Sequence, residues 1–378
     1  MSAQIAVTRE RRADETRVAV TPDSAKKLIG QGFGVIVEAG AGEGASYADA
    51  DYAAAGATVA SGLAETLATA DILFKVRAPE AQEIASLKAG AIVIGMLNPH
   101  LERPALDALA AKGATGFSME FVPRITRAQV MDVLSSQANL AGYRAVIEAA
   151  EAYGRALPMM MTAAGTVAAA KIFVMGAGVA GLQAIATARR LGGVVTATDV
   201  RPAAKEQVES LGAKFVAVED AEFKQAETAA GYAKEMSAEY QAKQAALVSE
   251  HIKKQDIVIT TALIPGRPAP KLVSAEQVAS MKQGSVLVDL AVEQGGNVAG
   301  AKLGEIAQVG GVKIVGFPNL AGRIAADASN LYARNLLAFA GLFLTKEGAF
   351  APDFEDEILK AALVCRDGAV VHPALKAN

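Results

Sequence analysis

The chain has 378 residues, 52% of them hydrophobic, which is too long for one ordinary domain and apolar enough for two large cores. A net charge of −3 with interspersed signs leaves no basic footprint for nucleic acid. The apolar runs fall short of the roughly 20 residues that cross a bilayer, no signal peptide is evident, and the lone Cys365 excludes a disulfide within the chain, so a soluble protein of a reducing compartment is expected.

Residues 1–123 alternate short β-rich runs with helical stretches. Strands are expected at 4–8, 35–38, 72–76, 92–97 and 115–120, and helices at 23–31, 48–55, 64–70, 81–88 and 103–112. Repeated βα units imply a parallel sheet covered on both faces. No phosphate-type glycine fingerprint occurs here; Gly40-Ala41-Gly42-Glu43-Gly44 has the composition of a nest but reads better as a turn. Arg17 and Lys75 follow strands, and strand ends are where ligands sit in such sheets. Solvated charges at the sheet edge are the other reading of that pair.

One long helix is expected from 130 to 154. On it Asp132, Ser135, Asn139 and Tyr143 fall at i, i+3, i+7 and i+11 and share a face. A solvated face would carry Lys and Glu. This one is short, polar and mostly neutral, which suits hydrogen bonds to an amide or a ribose; a polar packing seam is the alternative. Asp132 is expected in the first turn, where the helix dipole favours its charge. Residues 158–166, with three successive methionines, read as a linker whose methionines pack adaptably.

The most specific pattern follows. An apolar β-branched run, Lys171 to Met175, meets Gly176-Ala177-Gly178-Val179-Ala180-Gly181; an alanine-rich helix comes next, then a second β run ending at Asp199. Gly176 permits the tight turn, Gly178 lets backbone approach a pyrophosphate, and Gly181 lets helix pack on strand. The helix N-terminus offers free N–H groups to phosphate. Asp199 is placed to accept hydrogen bonds from the adenosine ribose, which favours NAD(H) over a 2′-phosphorylated nucleotide; Arg201 softens that choice without reversing it.

Beyond Asp199 come a helix at 203–211, a strand at 214–218 and a polar segment at 219–231, long for a βα connection. An exposed helix at 232–254 leads to a strand at 256–262 that runs into Leu263. A helix at 275–282 and strands at 285–291 and 313–316 complete six strands. Residues 319–348 are helical and leave this domain to pack on the first. The tail carries an amphipathic stretch, 353–364, and a turn at Arg366-Asp367-Gly368 suited to a terminal strand or hairpin.

The expected fold class is α/β: two doubly wound parallel-sheet domains with a cleft between them, the second a Rossmann dinucleotide-binding domain. Residues 1–130 with 322–378 form a flavodoxin-like domain completed by C-terminal helices, and 131–321 form the Rossmann domain with the long helix. Oxidation of a hydroxy or amino acid needs a base for the released proton, most often histidine. His251 sits in a charged helix and His372 in the tail; His100, after a strand end, is the one credible base, with a surface-loop role the alternative. No Cys nucleophile or Cys/His metal cluster is present. A nicotinamide site without an evident base points to transfer of hydride alone, as between two nicotinamide rings, which needs orientation more than acid–base groups.

The run from Pro123 through Arg124, Ile125, Thr126, Gln129, Asp132, Ser135 and Asn139 to Arg144 resembles the NAD(H)-binding first domain, or alpha-1 subunit, of the proton-translocating NAD(P)⁺ transhydrogenases. The glycine turn, residues 226–236 and Thr260 to Gly266 are similar too, and the likeness covers nearly the whole chain. The resemblance implies NAD(H) here, NADP(H) on a partner subunit, and no metal. It puts Arg124, Gln129, Asp132 and Ser135 at the nicotinamide end, with Gln129 toward the partner's NADP(H) and Arg124 fixing the loop beside Ile125 and Thr126. Val179 would meet the pyrophosphate, Leu263 the cofactor at the strand end nearer the nicotinamide half, Asp199, Val200 and Arg201 the adenosine side, and Gly231-Tyr232 would form a mobile flap. Membrane-spanning and NADP(H)-binding subunits would be separate chains, the protein a homodimer at the cytoplasmic face of the membrane. The alanine dehydrogenases are similar around Arg17 and Lys75 but lack the Arg124–Ser135 motif; their histidine would fall near Asn98. A non-catalytic NAD(H)-responsive module is a third reading.

Overall fold

The computed structural model describes residues 2–223, 236–264, 266–345 and 347–376. It divides into two compact units, Met1–Gln137 with Ala321–Asn378, and Ala138–Leu320. In chain order the first unit begins with β1 (Gln4–Val7), α1 (Pro22–Gly30), β2 (Gly34–Glu38), α2 (Asp49–Ala54), β3 (Thr58–Ala60) and α3 (Leu63–Ala68). It continues through β4 (Ile72–Phe74), α4 (Ala81–Ser86), β5 (Ile92–Gly95), α5 (Arg103–Ala111) and β6 (Thr115–Ser118). Helix α6 (Val133–Tyr153) carries the chain across the division, and β7 (Met160–Thr162) with β8 (Gly165–Val167) makes a separate antiparallel hairpin.

The second unit holds β9 (Lys171–Met175), α7 (Val179–Arg190), β10 (Val194–Thr198), α8 (Ala204–Ser210), β11 (Lys214–Phe215) and α9 (Ala238–Ile252). After these come β12 (Ile257–Thr260), α10 (Ala275–Ser280), β13 (Val286–Asp289), β14 (Ile306–Val309) and β15 (Val312–Val315). The chain then returns to the first unit as α11 (Ala325–Ala340), α12 (Glu357–Ala362) and the hairpin β16 (Leu363–Arg366) and β17 (Ala369–Val370).

The first sheet runs β17-β16-β6-β5-β4-β1-β2-β3, with β1 to β6 parallel and β16 antiparallel to β6. The five strands legible in the sequence lie in a flavodoxin-like order. Three-residue β3, pairing Thr58 with Ile36 beyond β2, corrects this: the six parallel strands stand 3-2-1-4-5-6. The second sheet has the same plan, β11-β10-β9-β12-β13-β15-β14, parallel except for the short edge strand β14. Side chains alternate between faces along each strand. Ile5, Val7, Val35, Val37, Ile72 and Phe74 enter one core of the first unit, and Ala6, Ile36 and Leu73 another. In the second unit Ile172 and Val174 face one core and Phe173 and Met175 the other. Both sheets are therefore buried on both sides. Among the described residues no helix is long and apolar enough to cross a membrane.

The expected helix from residue 130 starts later. Thr126–Met131 is a 3₁₀ segment, and α6 begins at Val133. Asp132, with φ −74° and ψ 88°, stands outside the helix. Its Oδ1 accepts from the Ser135 backbone N–H at 2.9 Å and its Oδ2 from the Ser135 hydroxyl at 2.6 Å. Asp132 is thus a capping residue that satisfies an orphan N–H, instead of a member of the first turn.

Candidate functional site

The glycine turn of the second unit has a separate use for each glycine. Gly176 adopts φ +105°, which only glycine takes without strain. A Cβ on Gly181 would stand 1.8 Å from the Gly176 carbonyl oxygen, so the helix can approach the turn only without a side chain there. A Cβ on Gly178 would meet no protein atom within 4 Å, so its bare face opens on free space. Gly178 also occupies the N-cap of α7, and no side chain caps that end. The first helical hydrogen bond runs from Leu182 N to Gly178 O at 2.8 Å. The N–H groups before it, with the helix dipole, suit a phosphate. An open backbone cradle at an uncapped helix end fits a dinucleotide pyrophosphate.

Asp199 follows β10 beside that turn. Its Oδ2 accepts from Ala177 N at 2.8 Å, and Oδ1 from Arg201 N at 2.8 Å and Arg201 Nε at 3.0 Å. Arg201 Nη2 adds 3.1 Å to Oδ2 and 3.3 Å to the Ala177 carbonyl. The carboxylate therefore braces the glycine turn. Val179, Val200 and Leu263 leave large apolar surfaces exposed around the strand ends. The backbone beyond β12 is fastened by Asn297, fully buried, whose Oδ1 accepts from Ala262 N at 3.1 Å while Nδ2 donates to the Ala262 and Pro270 carbonyls at 2.9 and 2.8 Å. Nothing in the sequence separates Asn297 from a loop asparagine, and its role is legible only in the fold. Gly231 and Tyr232 lie outside the described residues.

In the first unit, Ala128 and Met131 are buried in the core, which turns Gln129 outward between them. Arg124, Thr126 and Gln129 are exposed and Ile125 packs on the core edge. The segment is tied down by Arg127, a residue with no local signal in the sequence: its guanidinium pairs with Asp356 at 2.8 Å and Glu357 at 3.1 Å. The face expected to join Asp132 to Tyr143 is split, since Asp132 precedes the helix and Asn139 Nδ2 donates to Gln183 Oε1 at 3.3 Å.

The strand ends of the first unit are closed by their own charges. Lys75 is 1% exposed and lies 3.0 Å from Glu83, 3.2 Å from Glu10 and 3.3 Å from the Thr8 hydroxyl. Burial pushes the Glu10 carboxyl above its ordinary range, against the pull of Lys75. Arg17 is 3% exposed, forks onto Glu15 at 2.7 and 2.6 Å and reaches Gln137 at 2.7 Å. Burial alone would raise the Glu15 carboxyl, but the Arg17 and Arg77 guanidiniums hold it down at about 2. Both cations are buried against the chain's own glutamates, and the reading of solvated edge charges is corrected. The histidines are engaged in packing: His100 meets Phe121 edge-on, His372 stacks on Phe121 at 4.0 Å, and His251 lies 2.8 Å from the Thr196 hydroxyl with its pKa lowered by burial. Among the described residues no group of three or more His, Cys, Asp or Glu is placed to hold a metal ion.

Two doubly wound units, one with an open glycine turn under an uncapped helix, define a dinucleotide-binding α/β protein. Models of the alanine dehydrogenase/PNT N-terminal and C-terminal domains match residues 6–141 and 145–373. The chain belongs to the alanine dehydrogenase/PNT family. It is 54% identical to the first of the chains that make up NAD(P) transhydrogenase subunit alpha in Rhodospirillum rubrum, over 98% of each chain. A crystal structure of transhydrogenase from Sinorhizobium meliloti superposes with a TM-score of 0.90 at 60% identity, covering 97% of this chain and all of that one. The alanine dehydrogenase of Halomonas elongata is 30% identical over 98% of this chain and 95% of its own. Within the family, the chain stands with the transhydrogenase alpha subunits, and alanine dehydrogenase is the distant branch.

Proposed function

We propose that this chain is the NAD(H)-binding component of a proton-translocating NAD(P) transhydrogenase. It presents NADH for direct hydride transfer to NADP⁺ held on a partner subunit. Besides the near relatives, one observation carries the choice over amino-acid dehydrogenation: each buried strand-end cation of the first unit is already neutralised by the chain's own glutamates. An amino acid's carboxylate would find neither Arg17 nor Lys75 available, while His251 is engaged with the Thr196 hydroxyl and His372 is stacked on Phe121.

Bound NADH supplies the hydride. The chain's part is to hold and aim it. The α7 N-terminus and the open side of Gly178 receive the pyrophosphate beside Val179, and Gly176 and Gly181 keep that turn tight. Asp199 takes the adenosine ribose hydroxyls, flanked by Val200 and Arg201. Leu263 is assigned to the nicotinamide half of the nucleotide, and Asp132 and Ser135 to hydrogen bonds with carboxamide and ribose. Arg124, Ile125 and Thr126 shape the loop from which Gln129 reaches the partner's nucleotide. Protons move through separate membrane-spanning subunits, to which the chain, as a homodimer, attaches at the cytoplasmic face; no metal takes part.

The test is stopped-flow transfer from NADH to an oxidised NADP⁺ analogue with the NADP(H)-binding subunit added. Gln129→Asn shortens the side chain by one methylene, and misplacement of about 1 Å costs roughly a hundredfold in rate. Transfer should fall by that order while NADH affinity stays near wild type. A wild-type transfer rate in Gln129→Asn makes that residue structural and overturns its placement beside the partner's nucleotide; alanine-dependent NADH formation by the chain alone overturns the proposal.

A further inference from the structure

The residues proposed to face the nucleotide sit at a corner where a 3₁₀ segment gives way to an α-helix. The 3₁₀ segment ends at Met131, α6 starts at Val133, and Asp132 between them has non-helical backbone. One buried side chain from far along the chain spans this corner. Asn335, on α11 and 7% exposed, donates from Nδ2 to the Val130 carbonyl at 2.7 Å and accepts at Oδ1 from the Ser136 hydroxyl at 2.8 Å. Its two partners lie on opposite sides of Asp132, and Val130 adjoins Gln129.

The Ser136 side of the clamp is anchored in turn. Gln137 Nε2 donates to the Ser136 hydroxyl at 3.3 Å and to the Ala328 carbonyl at 3.1 Å, and Gln137 Oε1 accepts from Arg17 at 2.7 Å. Arg17 is fixed by its fork onto Glu15, and the next residue, Val18, donates to the Ser329 hydroxyl on α11 at 3.0 Å. The relay Glu15–Arg17–Gln137–Ser136–Asn335 is thus closed on α11 at both ends. A side-chain amide suits the end that meets the corner, because it gives one hydrogen bond from Nδ2 and accepts another at Oδ1.

We infer that Asn335 is the positioning residue for the Gln129–Asp132 corner, holding both side chains in register without touching the nucleotide. This rests on the proposed roles of Gln129 and Asp132. Removing the amide leaves the Val130 carbonyl without its partner and frees the corner to move, and displacement on the scale of 1 Å is enough to matter for transfer.

Hydrogen–deuterium exchange on the full chain without nucleotide tests this directly. Asn335→Asp keeps the acceptor and drops the donor; Asn335→Ala drops both. In each, the amides of Ala128, Asp132 and Ser135 should exchange about tenfold faster or more, while peptides over β9 and α7 keep wild-type rates. With NADH and the NADP(H)-binding subunit, the turnover rate should fall in the same order, Ala below Asp below wild type, by a larger factor than NADH affinity. Wild-type exchange at the corner overturns the proposal whatever Gln129→Asn does. Faster exchange at the corner together with a wild-type transfer rate in Gln129→Asn supports the clamp and refutes the functional reading, so the two failures separate. If Asn335→Ala does not fold, Ser136→Ala removes only the second arm; the same amides must then exchange faster, and wild-type rates overturn the assignment.

Discussion

The two sheets share one strand order and differ at the same topological point. In each, the order reverses beside the first strand, β1 in one unit and β9 in the other, and the crevice at that reversal is where open α/β sheets bind ligands. Beyond β9 the second unit puts glycine backbone and an uncapped helix N-terminus. The first unit's next helix, α1, is capped by a Thr21–Ser24 box, and Thr8, Glu10 and Lys75 at the strand ends are locked onto one another and onto Glu83 of α4. Among the described residues no buried side-chain polar atom lacks a partner. One architecture therefore serves as a socket where glycine leaves backbone groups unspent, and as a sealed joint where side chains spend them.

The largest effect is expected from unsealing the joint. Glu15→Gln leaves the Arg17 and Arg77 guanidiniums facing a neutral amide, and breaking a buried pair in this way costs about 3–5 kcal/mol, read by urea unfolding at pH 7. The sign with pH follows from the depressed carboxyl. The folded value of about 2 lies below the ordinary 4.5, so the charge stabilises the fold above pH 4.5 and loses that effect as pH falls toward 2. The gap between wild type and variant should stay level from pH 7 to about 5 and narrow below that; a gap undiminished at pH 3 would trace the loss to shape and not to charge.

Next in size is a pair of changes in the socket. Gly181→Ala collides with the Gly176 carbonyl and should cost about 1–3 kcal/mol of stability, with NADH affinity falling as the turn is displaced. Gly178→Ala meets nothing in the protein, so melting should shift by less than about 0.5 kcal/mol, yet NADH should bind about tenfold more weakly or worse because the methyl takes the pyrophosphate's space. Unchanged NADH titration in Gly178→Ala would mean that this face is not where the nucleotide lies. Comparable in size is Asp199→Ala, with a loss of about 1–3 kcal/mol in NADH binding and a narrowed preference over NADPH. Equal affinity of the wild-type protein for the two nucleotides would remove Asp199 from that role.

What can be read from the sequence follows how local each signal is. The glycine spacing, the carboxylate at Asp199 and the period of the long strands are short-range patterns, and both parallel sheets are legible from them. Strand β3 escapes because three residues, Thr58-Val59-Ala60, hold too little pattern to register, and its absence changes the apparent strand order. The start of α6 is displaced because Val130 and Met131 continue an apolar period, whereas Asp132 competes for the backbone N–H of Ser135 and sets the cap. Lys75 and Arg17 are hardest. Their burial depends on Glu83 and Gln137, placed by topology across 8 and 120 positions, and no local motif encodes that meeting. Asn297, Arg127 and Asn335 escape for the same reason.

The strand β16 closes the first sheet from the far end of the chain, and α11 supplies Tyr332, Leu336 and Phe339 to its core. Thr16 bonds the Gly322 carbonyl across 306 positions. On the ribosome, the contiguous second unit can therefore finish folding while the first waits, its β6 border unpaired and Phe117 uncovered. At about 5–20 residues per second the wait lasts roughly ten to fifty seconds. During that time a nascent chain already able to form its glycine turn still carries an open β-edge, and neighbouring chains on one message would meet each other there.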